Sequence, residues 1–509
     1  MTEPTNRQLF FKVFPSIMLP MFLAAVDGTI VATALPAIAG TLGEVERVSW
    51  VVVSYLVATT IAAPVYGRLG DALGRRRMMF TALGLFVSSS LACAVAPSIL
   101  LLTLARIVQG LGGGGLMTLS QALVGEVIPP RERGRYQGYT ATVFVGSSTF
   151  GPVAGGWLTQ HLGWQSVFWI NVPLGLLAFA LVFRLPGRAA STSRLQFDWL
   201  GLALFSLFIA PLLLSLEQAR KFEWSALPGA AALLAVAGVS LRLLLRQQAR
   251  APLPLLPINL LRQTAIWRIE LMGACTGATI VSLVTFTPIY LQVVRGITPS
   301  ETGLRLLPLT AFIGVGSMIT GQIITRTGRS AIIPSCGLPV LSVLLMVLAV
   351  FSPQLTLAQL PLMFCAIALF IGTSMPVVQT TVQMIAGVRQ LGAASASVQF
   401  SRSIGSAIGA ALTGAVLFGM LAARDPDTAK LFGNLVELGP QALAGLSPER
   451  IDVVRTEISE AFQAAFASIA LFAAMGAVLA WSLPVRRIEN RASQKVAAVN
   501  AAESPSLGE

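Results

Sequence analysis

The sequence predicts an all-α polytopic membrane protein of about fourteen transmembrane helices, and three observations carry that expectation. Of the 509 residues, 55% are hydrophobic and only 11% charged, with a mean hydropathy of +0.76, a balance far from that of a soluble domain. The apolar residues gather in runs of about 20, the length a helix needs to cross a hydrocarbon core. Short polar links separate the runs, and none of them alternates apolar with polar residues. A strand barrel is thereby excluded, leaving helices, which satisfy their own backbone groups in lipid.

In order, the runs cover residues 13–36, 49–66, 78–96, 99–124, 138–158 and 166–183, then 199–216 and 227–245, then 266–291, 304–324, 332–351, 357–382, 395–421 and 462–483. The pattern is six, two, six. It divides the chain into a cytoplasmic N-terminus (1–12), a first six-helix bundle (13–185), a linker with two inserted helices (186–262) and a second six-helix bundle (263–484) with an outer loop at 422–460. The last segment, 485–509, reads as a disordered cytoplasmic tail rich in Ala, Ser, Asn and charge. Although Arg7 and Lys12 precede the first run, it continues to Pro36 without a small-x-small cleavage site and contains Asp27. It is therefore read as a membrane helix and not as a signal peptide.

A formal charge of +13 would point to nucleic acid in a soluble protein, but the positive residues fall almost entirely in the links. Arg68, Arg75 to Arg77, Arg133, Arg135, Arg184, Arg246, Arg326 and Arg329 all belong to links on one side if the N-terminus is cytoplasmic. That asymmetry predicts both termini inside and an even number of crossings. Cys93, Cys275, Cys336 and Cys365 lie within apolar runs without metal-ligand spacing, and the single histidine, His161, sits in a link. No metal site, bound cofactor or soluble catalytic constellation is expected. An enzyme embedded in the membrane would need clustered acids or a nucleophile with its base, and the sequence has neither DxxD nor HExxH.

One internal repeat is visible. The link Gly67-Arg-Leu-Gly-Asp71-Ala-Leu-Gly74-Arg75 recurs in degraded form as Gly321-Gln-Ile-Ile-Thr325-Arg-Thr-Gly328-Arg329, each after the second helix of its group. The two groups therefore read as duplicated halves, with a binding cavity expected between them near mid-membrane.

A carboxylate in the middle of a membrane helix is the costliest residue in such a chain, which singles out Asp27. It lies about 14 residues into the first run, roughly 21 Å up a core of about 30 Å. Arg106, about 7 residues down the fourth run, reaches roughly the same level. If the helices are neighbours, a protonatable acid faces a fixed positive charge, and a proton or a cationic substrate competes for it. Gly67, Asp71, Gly74 and Arg75 combine tight-turn glycines with an acid and arginines at helix ends, a pattern suited to holding two helices together at a gate. In the fifth run, Gly146, Gly151, Pro152, Gly155 and Gly156 admit two compatible readings, a packing seam and a bend on which the halves pivot.

Asp27-Gly-Thr-Ile-Val31 with Ala34-Leu-Pro36 resembles the first-helix signature of the fourteen-helix drug:proton antiporters of the major facilitator superfamily, the EmrB/QacA type. Gly67 to Arg77 is similar to the superfamily's loop motif after helix two, and Arg106 with Gln109, Gly110 and Gly112 resembles its helix-four motif. Gly151-Pro152 with Gly155-Gly156 is similar to the helix-five motif associated with antiporters, and Ile170-Asn171-Val172-Pro173 with Gly175 resembles a further segment of this branch. The resemblance spans the six-two-six order, with its specific motifs in the first half. It implies a major facilitator fold of two pseudo-symmetric six-helix bundles plus two inserted helices. It further implies alternating access and export driven by inward proton flow, with Asp27 as the acid, Arg106 its coupling partner, and Asp71 with Arg75 the gate pair.

The second half departs from family members of broad cation specificity, which carry further intramembrane acids there. Glu270 lies about one turn into its helix, where cytoplasmic water or a pair with Arg268 are the alternatives, and Arg305 and Arg402 are the other charges near membrane depth. Neutral or anionic lipophilic substrates thus stay open beside cations. Trp50, Tyr55, Phe286, Tyr290, Gln379 and Gln383, with Glu270 and Arg402, are the residues expected to line the cavity. The expected function is proton-coupled export of small lipophilic compounds, as in multidrug efflux, from a bacterial inner membrane. A symporter or exporter of one specific metabolite on the same fold is the alternative. The expected partners are the small molecule, protons and the bilayer, with a periplasmic adaptor left open and nucleic acid excluded.

Overall fold

The computed structural model describes residues 6–43, 47–129, 132–185, 197–219, 227–251, 254–255, 258–438 and 447–484. The first half holds α1 (Asn6–Leu42), α2 (Trp50–Leu73), α3 (Arg75–Ala94), α4 (Ile99–Val127), α5 (Arg133–Leu162), α6 (Ser166–Trp169) and α7 (Asn171–Val182). Two further helices follow, α8 (Trp199–Ala219) and α9 (Leu227–Arg250), then a short α10 (Ile258–Leu261). The second half holds α11 (Thr264–Ile289), α12 (Pro299–Thr327), α13 (Ile332–Phe351), α14 (Gln359–Ile371), α15 (Met375–Ala386), α16 (Leu391–Arg424), α17 (Pro426–Leu438) and α18 (Pro448–Trp481). Among the described residues, twelve helices are long and apolar enough to cross a membrane. With α5, rich in Gly, Ser and Thr, and the shorter apolar pair α6 and α7, the architecture is compatible with fourteen crossings.

Local chemistry sets the helix ends. Ser98 caps α4 by accepting from the Leu101 amide, Thr298 caps α12 with Pro299 in its first turn, and Ser447 caps α18 ahead of Pro448. Gly74 takes φ +97° between α2 and α3, a conformation closed to residues with a Cβ. The equivalent Gly328 ends α12 in the left-handed conformation at φ +68°.

Several boundaries differ from expectation. α1 begins at Asn6, inside the segment assigned to the N-terminus. The run at 166–183 is two helices, and the run at 357–382 breaks at Gly372–Ser374. The segment 422–460, expected as an outer loop, is largely helical: α16 extends to Arg424, α17 follows, and α18 starts at Pro448 with Val454 and Ile458 buried. Arg450 pairs with Asp425 there and holds its carboxyl below the usual carboxylate range, joining the start of α18 to the end of α16. The expected disordered tail lies outside the described residues.

Each half has its own core. In the second, Tyr290, Phe432, Phe462 and Phe466 form a chain of edge-on and tilted rings. In the first, Phe86, Leu116 and Leu119 centre one cluster, and Trp164 and Phe168 belong to another. Leu100, Phe150, Trp157, Leu176, Val343 and Leu362 stand exposed on the outside, which is the expected state of a surface solvated by lipid.

The halves meet backbone to backbone at the end where α2 turns into α3. A Cβ on Gly67 would lie 2.6 Å from the Gly392 oxygen, and one on Gly321 would lie 2.0 Å from the Gly134 oxygen. α2 thus crosses α16 as α12 crosses α5, and the equivalent glycines of the sequence repeat occupy the two crossings.

The helix-five glycines are unequal. Gly151 and Gly155 press on α1: an added Cβ would come within 2.0 Å of Thr29 Oγ1 and 2.3 Å of Thr33 Oγ1, respectively. Gly156 faces open space, and Pro152 is exposed inside an uninterrupted helix. Gly155→Leu should therefore lower the thermal midpoint of the purified protein by about 5 °C through overpacking, whereas Gly156→Leu should leave it unchanged. Equal midpoints for the two variants, read by thermal denaturation in detergent, would contradict this seam.

Candidate functional site

The first cluster is built around Asp27 in α1. Asp27 and Arg106 are both fully buried, and Arg106 Nη1 pairs with Asp27 Oδ2. Asp27 Oδ1 accepts hydrogen bonds from Gln109 Nε2 at 2.9 Å and Asn171 Nδ2 at 2.8 Å. Gln109 also donates to Ser90 Oγ at 2.7 Å and accepts from Arg106 Nη1 at 2.7 Å, while Arg106 Nε donates to the Val51 carbonyl at 3.1 Å. The guanidinium lies 4.1 Å from the centre of the Tyr55 ring, whose hydroxyl donates to the Ala24 carbonyl. An ionised carboxylate away from water needs this density of donors and positive charge. Asp27 and Arg106, which counting along their helices places at one depth, do meet.

Glycines let α4 come this close. A Cβ at Gly113 would lie 2.5 Å from the Tyr55 hydroxyl oxygen, and one at Gly110 would lie 2.7 Å from the Tyr55 carbonyl oxygen. The spacing Arg106, Gln109, Gly110, Gly113 puts the two polar groups and two of the small residues on faces that meet α1 and α2.

A second cluster lies at the inter-half crossing. Asp71 Oδ1 and Oδ2 accept from the backbone amides of Gly392 and Ala393 at 3.0 and 3.1 Å. These are first-turn amides of α16, so a carboxylate from the first half caps a helix of the second. Arg75 Nη2 holds Asp71 at 2.6 Å, and Arg75 Nη1 pairs with Glu126 on α4. Gln383 Nε2 adds another tie, donating to the Gln121 carbonyl at 2.9 Å.

Between the halves lies a narrow cleft with about 40 Å³ of free space. α4 and α5 contribute Gln121, Gln137, Thr140 and Phe144, and the second half contributes Thr276, Ser374, Met375, Val378, Gln379 and Arg402. Of the eight residues expected to line the cavity, Gln379 and Arg402 do so. Tyr55 belongs to the Asp27 cluster and Gln383 to the inter-half tie. Phe286 and Tyr290 are core residues, the Tyr290 hydroxyl donating to the Ser352 carbonyl at 2.7 Å. Trp50 is 44% exposed at the first turn of α2. Glu270 is buried, accepts from Ser397 Oγ at 2.7 Å and does not line the cleft. Its expected alternative partner Arg268 instead donates to the Ser482 carbonyl. Arg305 is held by Glu301, one turn away.

Asn171 stands in the sequence only as part of a motif, and the structure makes it a donor to the Asp27 carboxylate. A lone amide in an otherwise apolar run was the available signal. Glu126 and Phe144 carried none, because their partners are distant in sequence.

A buried Asp–Arg pair inside one bundle, a carboxylate cap joining it to the other, and a polar-lined cleft between the two are an arrangement suited to a membrane transporter. The Major Facilitator Superfamily profile matches residues 17–410, and the chain belongs to that superfamily as a multi-pass membrane transporter. It is 31% identical over 420 residues to an MFS-type transporter of Mycobacterium tuberculosis, an alignment that covers 82% of this chain and 61% of that relative's length. It is 28% identical over 527 residues to the multidrug transporter protein MdtP of Bacillus subtilis, covering 96% of both. The crystal structure of the human organic anion transporter MFSD10 (TETRAN) superposes with a TM-score of 0.64 at 15% identity, over 94% of this chain and 100% of that one, a likeness of fold alone.

Asp71→Asn removes the charge that two amides and Arg75 share, an interaction worth about 1.5–3 kcal/mol. Spin labels replacing Arg68 and Val388, in a background without the native cysteines, should then show the population with separated α2 and α16 ends rising by about tenfold. An unchanged distance distribution would remove Asp71 from the gate.

Proposed function

We propose that this protein is a proton-coupled antiporter that exports small lipophilic compounds from a bacterial cytoplasmic membrane by alternating access. The proton gradient is its energy source, it needs no bound cofactor, and both termini are cytoplasmic. The described state, with α2 on α16 and α5 on α12, is then closed toward the cytoplasm. The observation that carries this reading is the enclosure of Asp27 by Arg106, Gln109 and Asn171.

A proton arriving at Asp27 cancels the carboxylate charge and leaves Arg106 without its counter-ion, so the arrangement around the pair must change. A physical route leads from there to the cleft. Thr29, two residues after Asp27, donates to the Ser147 carbonyl of α5 at 3.0 Å, and Phe144, on the same helix one turn away, lines the cleft. The Asp71 cap on α16 then sets whether the cytoplasmic end stays shut. Fold alone does not fix the direction of transport. Export is favoured by the names of the relatives, among them MdtP and the multidrug resistance protein Stp of Mycobacterium tuberculosis.

The test is proton release from energised inverted vesicles on addition of a panel of cationic, neutral and anionic lipophilic compounds. At least one compound should collapse the gradient with the parent protein, and Asp27→Asn should reduce that response to background. A response that survives in Asp27→Asn would sink the coupling role of Asp27, and a response only in the opposite vesicle orientation would indicate import.

A further inference from the structure

We infer that Arg402 is the recognition site for an anionic group on the cargo, so that the exported compounds are lipophilic carboxylates and not lipophilic cations. The inference rests on the export reading above and adds the substrate class.

The charge inventory of the cleft is the starting point. Among its described lining residues Arg402 is the one charged side chain; the polar remainder are neutral amides and hydroxyls. Three other arginines near membrane depth have carboxylates. Arg106 has Asp27, Arg75 has Asp71 and Glu126, and Arg305 has Glu301. Arg402 has no carboxylate within 4.0 Å among the described residues, and its one hydrogen bond is from Nη2 to Gln399 Oε1 at 2.5 Å. A guanidinium at membrane depth without a counter-charge is costly. An anion entering the cleft relieves that cost, and a cation adds to it.

The geometry fits a planar oxyanion. The Arg402 guanidinium lies 4.9 Å from the centre of the Phe144 ring, which reaches it from the opposite half. The ring covers the guanidinium from one side, and since only Nη2 has a hydrogen-bond partner among the described residues, Nε and Nη1 keep N–H groups for a carboxylate. Gly277 makes room for the stem, since a Cβ there would lie 3.1 Å from Arg402 Cγ. The nearest acid on that helix, Glu270, lies about two turns away and is turned to Ser397. Met375, Val378 and Val398 supply an apolar wall for a tail, and the cleft, with about 40 Å³ of free space in this closed state, widens to admit one.

A purely structural clamp between Arg402 and Phe144 would also explain the stacking, so the experiment has to read charge preference. Three probes with one tail are titrated by fluorescence into the protein in nanodiscs: dansyl-labelled undecanoic acid, its primary amide, and the matching trimethylammonium. The parent protein should bind the acid at least about tenfold more tightly than the amide, and the ammonium most weakly. Arg402→Gln should erase the advantage of the acid while leaving the affinity for the amide within about twofold, and Arg402→Lys should keep part of it, as a point charge without the fork. The inference is overturned if the acid fails to bind the parent protein, if the ammonium binds as tightly as the acid, or if Arg402→Gln retains the preference. Because no proton gradient enters this measurement, failure here leaves the antiport reading standing. An Arg402-dependent preference combined with absent proton coupling would refute only the latter.

Discussion

A carboxylate withdrawn from water can persist in a helix bundle only where donors surround it, and those donors must be brought from elsewhere in the fold. Around Asp27 they come from α4 through Arg106 and Gln109, and from α7 through Asn171. The donors are oriented in turn by Ser90 of α3 and by Val51 and Tyr55 of α2. One charge thus fixes the mutual placement of five helices of the first half. The glycines of α4 follow from the same requirement, because Arg106 and Gln109 reach α1 only if α4 lies almost on the Tyr55 backbone.

Among the described residues the second half has no equivalent. Its large core cluster is aromatic and aliphatic, and its buried acid Glu270 has Ser397 and Ser401 for company in place of a guanidinium. The asymmetry extends to the repeated link. Gly67 and Gly321 both sit at a backbone crossing with the opposite half, as duplication requires. The counterpart of Asp71 is Thr325, whose hydroxyl donates to the Gly321 carbonyl within its own helix at 2.8 Å. Two crossings therefore share one steric plan, and among the described residues the one between α2 and α16 carries a carboxylate cap.

Asp27 and Arg106 were legible in the sequence because charge at membrane depth is rare and depth can be counted along a helix. The loop link was legible because its glycines, acid and arginine recur at a fixed offset. The cavity lining was not. In a membrane bundle both lipid and core are apolar, so hydrophobic periodicity does not tell which face of a helix looks inward. Phe286 and Tyr290 were thus indistinguishable from lining residues, and Phe144 from a lipid-facing one. The segment 422–460 departs from expectation for a related reason: Asp425, Pro426 and Pro440 suggest a loop, but Pro426 stands at the first position of α17, where proline is compatible with a helix.

The arrangement along α5 joins these parts. From one end to the other, this helix carries Gly134 at the crossing with α12, Gln137 to Phe144 on the cleft, Ser147 bonded to Thr29, and Gly151 and Gly155 against α1. Pro152 lies within it on the exposed side, and the helix runs unbroken from Arg133 to Leu162. This helix touches the Asp27 helix over one half of its length and the opposite bundle at the other end, so it links the two. Gly151 and Gly155 supply the packing seam, and the bend stays compatible with it. In the proposed antiport the seam serves coupling, because a helix fitted into grooves at both ends passes a displacement starting at Asp27 to the cleft wall and to the crossing beyond.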